Sequence, residues 1–371
     1  MYAKGQAVIG LMEELAPKSY AVEGDKIGLQ IGTLQKDIRK VLVTLDVTEE
    51  VTDEAIQGGV DLIIAHHAII YRPLPHIQTD TPAGRLYEKL IKHDIAVYIA
   101  HTNLDVAEGG INDMMAEAIG LTVTEPLDEV HTDKLKKLVV FVPTDYADKV
   151  REAMFNAGAG GIGKYSHCSF NIEGIGTFIP DEGADPFIGR PGKLEEVKEV
   201  RVETIVSQSV ERKVVQAMLK AHPYEEVAYD LYSLDLKTRT FGLGRAGKLS
   251  KPITLQELCE QVKQAFDVPM LRVVGDPAQV IRKAAVLGGS GSRYVKNAMF
   301  AGADVLITGD IDYHTAHDAL AAGIALIDPG HNVEKIMKQG VAEYLQRKLS
   351  ERKWATAVAA SQIQTEPFRF V

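Results

Sequence analysis

The sequence predicts an α/β protein whose sheets are covered by helices on both faces. Short apolar runs alternate with amphipathic helical patterns at both ends of the 371-residue chain. The apolar runs show no polar alternation, which is typical of strands buried on both faces. The middle of the chain has a different order, β-α-β-β-α-β, which is that of a ferredoxin-like split βαβ unit. We therefore expect two α/β halves and an inserted α+β domain.

The N-terminal part of the chain has four strand patterns separated by helices. Thr48 is the expected N-cap of the second helix, and Glu49 and Glu50 suit the positive end of its dipole. Pro82 fits the first turn of the third helix. The predicted strands are 27–31, 39–47, 61–65 and 95–100, and the predicted helices are 6–15, 48–58, 81–93 and 111–119.

The middle part begins with 121–133, which has the composition of a linker and includes Pro126. We predict a discontinuous core formed by 1–124 and 246–371 and an insert formed by 125–245. The predicted elements of the insert are strands 137–142, 170–178, 199–206 and 226–231 and helices 147–157 and 210–221.

The C-terminal part returns to the α/β pattern and contains an echo of the first part. Residues 55–67 read AIQGGVDLIIAHH, and residues 298–310 read AMFAGADVLITGD. Both have a helix end, a glycine, an aspartate, a buried strand and polar residues at the strand end. This predicts related halves that face a cleft lined by strand ends. The predicted strands here are 270–274, 283–287, 305–308, 324–327 and 364–370, and the helices are 254–265, 294–301, 315–322 and 332–349.

Composition narrows the function classes. The net charge of −10 disfavours nonspecific binding to nucleic acid or membrane surfaces. Two cysteines, Cys168 and Cys259, make neither a disulfide framework nor a cysteine metal site. No signal peptide or membrane-spanning pattern is found, so we expect a cytoplasmic protein.

Two adjacent histidines, His66 and His67, follow the apolar strand at 61–65. Ligands of open α/β sheets bind at the carboxyl ends of strands. Adjacent side chains on a strand point to opposite faces. The pair can therefore share one ion only if the backbone bends there, and otherwise the two rings reach two ions side by side.

Two more strand ends carry histidine and carboxylate pairs, namely His101 with Asp105 and His331 with Glu334. The last pair is three residues apart, which is one face of a helix. Imidazole and carboxylate ligands suit Zn, Fe, Mn, Co or Ni. The set exceeds the needs of one tetrahedral zinc and fits two ions about 3.5–4 Å apart. The alternative is three independent polar strand ends.

Two further motifs have structural interpretations that we favour. The GAGGIG stretch at 158–163 follows a helix instead of joining a strand to a helix, so a flexible turn is favoured over a phosphate cradle. His222 stands at a predicted helix end, and capping of free carbonyls is favoured over a ligand role.

Four stretches together resemble the GTP cyclohydrolase I type 2 family, also called the NGG-interacting-factor-three-like family. They read DLIIAHHAIIYRPL, HTNLDVAEGGIND, TGDIDYHTAHDA and DPGHNVEK. The resemblance covers both outer parts of the chain and implies a toroidal homohexamer with two divalent ions in each subunit. The insert, with its HPYEEVAYDLYSL stretch, resembles the nitrogen-regulatory PII and copper-tolerance CutA proteins.

Carried onto this chain, the resemblance implies the metal ligands His66, His67, Asp105, His331 and Glu334. Zinc is the ion expected in the purified protein, and Fe, Mn, Co and Ni are alternatives. Many members space the last pair as HxxxE, but this chain has Lys335 at that position. The ligand implied here is therefore the residue before it.

The first functional hypothesis is a metal-dependent hydrolase acting on a nucleotide or another phosphorylated small molecule. His314, close to Asp310 and Asp312, is the candidate acid–base or supporting residue. The family name implies opening of the GTP imidazole ring, but the chain has no P-loop, and the authentic type I enzymes use a cysteine-containing zinc site. The second hypothesis is a non-enzymatic metal-binding, metal-delivery or regulatory protein with a ligand-sensing insert.

Overall fold

The computed structural model describes residues 1–236 and 238–369 and divides the chain into two compact units. The core unit comprises Met1–His131 and Phe241–Val371, and the insert unit comprises Thr132–Thr240. Among the described residues, none of the helices has both the length and the apolar character that crossing a membrane requires.

The N-terminal stretch of the core unit follows the predicted alternation of strands and helices. As expected, the Thr48 side chain caps a helix by accepting a hydrogen bond from the Val51 N–H. The elements are β1 (Ala3–Lys4), α1 (Gly5–Leu15), β2 (Gly28–Ile31), β3 (Asp37–Ile38), β4 (Lys40–Thr44), α2 (Glu49–Gln57), β5 (Leu62–Ala65), α3 (Pro82–Lys92), β6 (Ala96–Ile99), α4 (Thr102–Val106), α5 (Ile111–Ala118) and β7 (Leu121–Thr132).

The insert unit has the predicted order β-α-β-β-α-β. Its elements are β8 (Leu135–Pro143), α6 (Ala147–Ala157), β9 (Ser169–Phe178), β10 (Glu195–Ser207), α7 (Glu211–Ala221) and β11 (Tyr229–Ser233). The strands form an antiparallel sheet in the order β11-β8-β10-β9. One sheet face, including Val140 and Val202, packs with Val150 of α6 and Met218 of α7 in a buried apolar cluster.

The C-terminal stretch completes the core unit. Between its last two helices, residues His331–Lys335 form a 3-10 turn. The elements are β12 (Thr240–Thr254), α8 (Leu255–Phe266), β13 (Arg272–Val274), β14 (Val280–Ser290), α9 (Val295–Phe300), β15 (Val305–Gly309), α10 (Tyr313–Ala322), β16 (Ala325–Asp328), α11 (Ile336–Glu351) and β17 (Ala357–Ala360).

The core unit contains two mixed sheets that bring strand ends together. One has the order β17-β4-β5-β6-β2, with parallel pairing from β17 through β6. The other has the order β13-β16-β15-β14-β12-β7, with parallel pairing from β14 through β16. Because parallel strands end at the same edge of a sheet, the residues that follow β5 and β6 lie side by side.

The same local arrangement occurs once in each sheet. An aspartate before a central strand, Asp61 in one sheet and Asp304 in the other, binds two successive backbone N–H groups of the neighbouring strand. Each stands two residues after a glycine with positive φ, Gly59 or Gly302. Asp61 accepts from Arg39 and Lys40 at 2.7 and 3.1 Å, and Asp304 accepts from Arg282 and Lys283 at 2.7 and 2.9 Å.

The structure contradicts two secondary-structure predictions and adds a long strand that was not predicted. The predicted linker 121–133 is mostly strand β7, which lies at a sheet edge, where Pro126 and exposed polar residues are tolerated. The long strand β12 was missed because its GRAGKLSK stretch is glycine-rich and charged. The last strand is β17, not 364–370: residues 364–369 have no regular secondary structure, and Phe370 lies outside the described residues.

Candidate metal centre

The strand ends of the N-terminal stretch bring three histidines together. His66 and His67 follow β5, and His101 follows β6. Their candidate ligand nitrogens all lie within 4.8 Å of one another. His66 is completely buried, whereas His67 and His101 are half-buried. His101, which the sequence indicated only as a group beside Asp105, therefore belongs to the cluster.

The C-terminal stretch contributes His331 and Glu334 to the same cluster. Both lie on the 3-10 turn, where side chains three residues apart are eclipsed. Oε2 of Glu334 lies 3.3 Å from Nε2 of His331 and 3.2 Å from Nε2 of His67. Its other oxygen, Oε1, lies 3.7 Å from Nε2 of His66. One carboxylate thus faces two groups of potential ligands with different oxygens.

Asp105, on α4, forms the second group of potential ligands together with His66 and Glu334. Its Oδ1 lies 3.8 Å from Nε2 of His66, and the residue is 8% exposed. Both atoms are buried and have no hydrogen-bond partner among the described residues. Buried polar atoms are almost always partnered. A cation between the imidazole nitrogen and the carboxylate oxygen would satisfy both, so this donor set fits a metal ion.

Each histidine of the cluster is held by a hydrogen bond at Nδ1, which leaves Nε2 free to bind a metal. Such partners fix the tautomer and the ring orientation of metal-binding histidines. The partners are Asp46 for His67 at 2.7 Å, Asp25 for His101 at 2.8 Å, Asp310 for His331 at 2.7 Å, and the Ala100 carbonyl for His66 at 2.9 Å.

The charges of the cluster shift its pKa values strongly. Against the effect of burial, hydrogen bonds to Asp46 and Glu334 raise the pKa of His67 to about 10. The bond to Glu334 raises the pKa of His331 to about 9. Burial raises the pKa of Asp105 to about 6. Nearby positive charge therefore stabilises these carboxylates, and divalent cations would supply it on binding.

A cleft of about 1310 Å³ borders the cluster within the core unit. His67 and His331 line it together with the supporting Asp46 and Asp310. Three cationic side chains, those of Arg272, Lys335 and Arg369, also line it. Because the two histidines line the cleft, a small molecule bound in it can reach them.

His314 and the two motifs with structural interpretations lie elsewhere. His314 is exposed on the first turn of α10 and does not belong to the clusters of candidate ligands found among the described residues, so its role stays a prediction. Gly158 ends α6 with a positive φ of 116°, which makes GAGGIG begin as a helix-terminating turn. The carbonyl-capping role of His222 was wrong: its ring binds the Phe141 carbonyl and the Tyr224 N–H, not the carbonyls of α7.

Sequence reasoning missed the supporting residues Asp25 and Asp46. Asp46 had a signal, because it follows β4 at the same sheet edge as the histidines. Asp25 had none, since it lies outside regular secondary structure and reaches His101 only through the tertiary fold.

The fold and the cluster define an α/β protein with histidine and carboxylate groups that can hold a metal. The chain belongs to the Duf34/NIF3 (NGG1p interacting factor 3) family, which matches residues 3–367. It is 57% identical over 369 residues to a Halalkalibacterium halodurans protein named GTP cyclohydrolase 1 type 2 homolog, covering 100% of this chain and 99% of that protein. A Bacillus subtilis protein of the same name is 56% identical over 367 residues, covering 99% and 98%.

Solved structures show the same fold. The crystal structure of a Bacillus cereus protein related to NIF3 has a TM-score of 0.95 and 54% sequence identity, covering 100% of both chains. A Staphylococcus aureus protein has a TM-score of 0.78 and 31% identity, covering 100% of this chain and 99% of its own.

Proposed function

We propose that this protein is a dinuclear metal-dependent hydrolase that acts on a nucleotide or another phosphorylated small molecule. The observation that carries the proposal is the placement of Glu334. Its Oε1 faces His66 and its Oε2 faces His67 and His331. A carboxylate that offers different oxygens to two sets of ligands is suited to bridge two ions in one site.

The proposed ligands are those that the resemblance implied, namely His66, His67, Asp105, His331 and Glu334, to which the geometry adds His101. Zinc is expected in the purified protein, with Fe, Mn, Co and Ni as alternatives. When bound, two such ions supply a Lewis acid that activates water and neutralises phosphate charge.

The chain's own residues position the ligands and the substrate. Asp25, Asp46 and Asp310 accept the Nδ1–H groups and so keep each Nε2 available. In the cleft, Arg272 and Lys335 provide positive charge for a phosphorylated substrate. Both side chains are already held, Arg272 by Asp328 and Lys335 by the Asp267 carbonyl.

His314 is the proposed acid–base residue. Its replacement by Gln should lower turnover of a hydrolysed substrate and leave metal content unchanged. His317→Gln is the matched control, because His317 is also exposed on α10 and lies one turn further along. Equal turnover in the two variants would remove His314 from the reaction.

The activity is tested by stripping the full-length protein with a chelator, adding back each candidate ion singly, and screening nucleotides and phosphoesters for phosphate release. We expect release that requires added metal, that His66→Ala abolishes and that His76→Ala preserves, since His76 is an exposed loop residue. Rapid transfer of the ions to a chelator without any hydrolysis would instead support the metal-delivery function.

The resemblance also carries a proposal for architecture. We propose that the two large sheets of the core unit are related halves around the cleft, that the insert unit, Thr132–Thr240, is a PII-like ferredoxin-like domain, and that the subunits assemble as a toroidal homohexamer. Light scattering on the purified full chain should give six times the 40.5 kDa subunit mass. A monomeric or dimeric mass would contradict the assembly.

A further inference from the structure

The insert unit contains a cavity of about 650 Å³ that is separate from the metal centre. It lies on the sheet face opposite α6 and α7, because Val200 and Val202 of β10 pack into the helix-covered core while the alternate residues Glu199 and Arg201 line the cavity. Aromatic rings line much of the wall, namely Phe141, Phe178, Phe187 and Tyr224.

Glu199 lines this cavity, and the residue is 8% exposed. Its Oε1 accepts a hydrogen bond of 2.8 Å from the hydroxyl of Tyr224. Its other oxygen lies over Gly176, where a Cβ would stand only 2.2 Å away, so the glycine makes room for it. A buried carboxylate is costly unless a positive group compensates it. The cavity therefore presents an anion that a cationic ligand would stabilise.

Arg201, two residues further along β10, carries the opposite charge. Its Nη2 binds Oε1 of Glu203 at 2.9 Å. Its Nε is buried and has no hydrogen-bond partner among the described residues. Residues two apart on a strand lie about 7 Å from each other on the same face. An acceptor bound at Nε would therefore lie close to a cation bound at Glu199.

We propose that this cavity binds a free α-amino acid with an apolar side chain. The α-ammonium donates to Glu199, the α-carboxylate accepts from Nε of Arg201, and the side chain packs among Phe141, Phe178 and Phe187. Glu199 and Arg201 line the same cavity, so one ligand that carries both charges can pair with both side chains. The volume suits a small organic ligand, and the proposal does not depend on the metal centre.

Ligands with fewer charged groups would leave Glu199, Arg201 or both without a partner on the ligand. A neutral apolar molecule would cover Glu199 without supplying positive charge. An organic amine would pair with Glu199 but leave the Arg201 Nε–H without an acceptor, and a carboxylic acid would do the reverse. Leaving a buried polar group unpaired weakens binding, because that group loses its hydrogen bonds to water without replacement.

The test is isothermal titration of the full-length protein with three probes of similar shape. They are L-phenylalanine, phenethylamine, which lacks the carboxylate, and hydrocinnamate, which lacks the ammonium. We expect phenylalanine to bind at least about tenfold more tightly than either of the others, because each loses one charged hydrogen bond. Equal affinities for phenylalanine and phenethylamine would overturn the proposal in favour of a simple cation site, and no binding of any probe would also overturn it.

Two variants assign the contacts. Glu199→Gln should lower the affinity for phenylalanine and phenethylamine and leave the affinity for hydrocinnamate unchanged. Arg201→Gln should lower the affinity for phenylalanine and hydrocinnamate. Glu196→Gln is the control, because this substitution removes the same charge from an exposed position of β10 that does not line the cavity. Unchanged affinities in both cavity variants would overturn the proposal. Should either variant fail to fold, the comparison of probes on the unaltered protein still decides it.

Discussion

The carboxylate of Glu334 lies 3.2 Å from Nε2 of His67, although 267 residues separate the two in the chain. The contact joins the end of β5 in one sheet of the core unit to the turn after β16 in the other. A local sequence pattern cannot predict a contact between residues so far apart in the chain. The contact depends on the packing of both sheets, so the candidate metal centre can form only when the whole core unit is folded.

Removal of one ligand should lower bound metal without unfolding the protein. We expect His66→Ala and Asp105→Ala each to reduce the metal content, because the surrounding strands remain packed by their own apolar side chains. Elemental analysis combined with circular dichroism measures both effects, and His76→Ala serves as control. Full metal content in both variants would contradict the proposed metal centre.

The supporting carboxylates should matter nearly as much as the ligands. Asp46→Asn retains the size of the side chain but weakens the acceptor that holds Nδ1 of His67. We expect metal affinity to fall about 10–100-fold, which is typical for loss of such a partner. Competition with a metal-binding dye measures it. Asp37→Asn, at an exposed ion pair with Lys4, is the control and should have no effect.

The insert unit should be removable. Its entry and exit lie close together, since the Asp133 N–H donates to the Arg239 carbonyl at 3.0 Å and the ring centroids of His131 and Phe241 are 6.2 Å apart. We expect a chain in which 132–240 is replaced by a short Asn-Gly turn to fold and to bind metal. An insoluble or metal-free product would count against an insert that folds separately.

His222 should make stability depend on pH. It is buried and neutral, donating from Nε2 to the Phe141 carbonyl and accepting the Tyr224 N–H at Nδ1. Burial lowers its pKa below the ordinary 6.5, so the unfolded chain takes up the proton first as the pH falls. This contribution to stability is complete above pH 6.5 and is lost below it.

His222→Gln provides the comparison, because Gln also offers one donor and one acceptor but does not titrate. We expect the unaltered protein to lose its stability advantage over the Gln variant between about pH 7 and pH 5. Thermal unfolding of both proteins across this range measures the difference. A constant difference would show that His222 does not titrate on unfolding.

Much of the fold followed from local sequence signals. Buried apolar strands such as β5 and β6, the cap at Thr48 and the order of the insert were predicted because each depends on periodicity or on a residue's backbone preference. The edge strand β7 and the long β12 were not, because their strand conformation comes from pairing with neighbours and not from their own composition.

The same distinction applies to the site. The candidate ligands at strand ends were visible in the sequence as His66 with His67 and as His331 with Glu334, because each pair follows an apolar strand. The place of His101 in the cluster and the support from Asp25 required the tertiary structure, because only folding brings Oδ1 of Asp25 within 2.8 Å of the ring.

The most direct test of the metal centre is the metal stoichiometry of Glu334→Gln. Glu334 is 3% exposed, and although burial by itself raises its pKa, charge interactions and hydrogen bonds with three histidines hold that pKa well below the ordinary range. Lys335→Ala is the neighbouring control, because the ammonium of Lys335 turns away to the Asp267 carbonyl.

If Glu334 bridges two ions, the Gln variant should bind fewer ions per subunit, should lose any hydrolysis and should still unfold cooperatively, while Lys335→Ala keeps the full number. A Gln variant that keeps its full metal content would contradict the account: it would leave Glu334 as a helix-end carboxylate worth at most about 1 kcal/mol and make Asp310 the next candidate ligand.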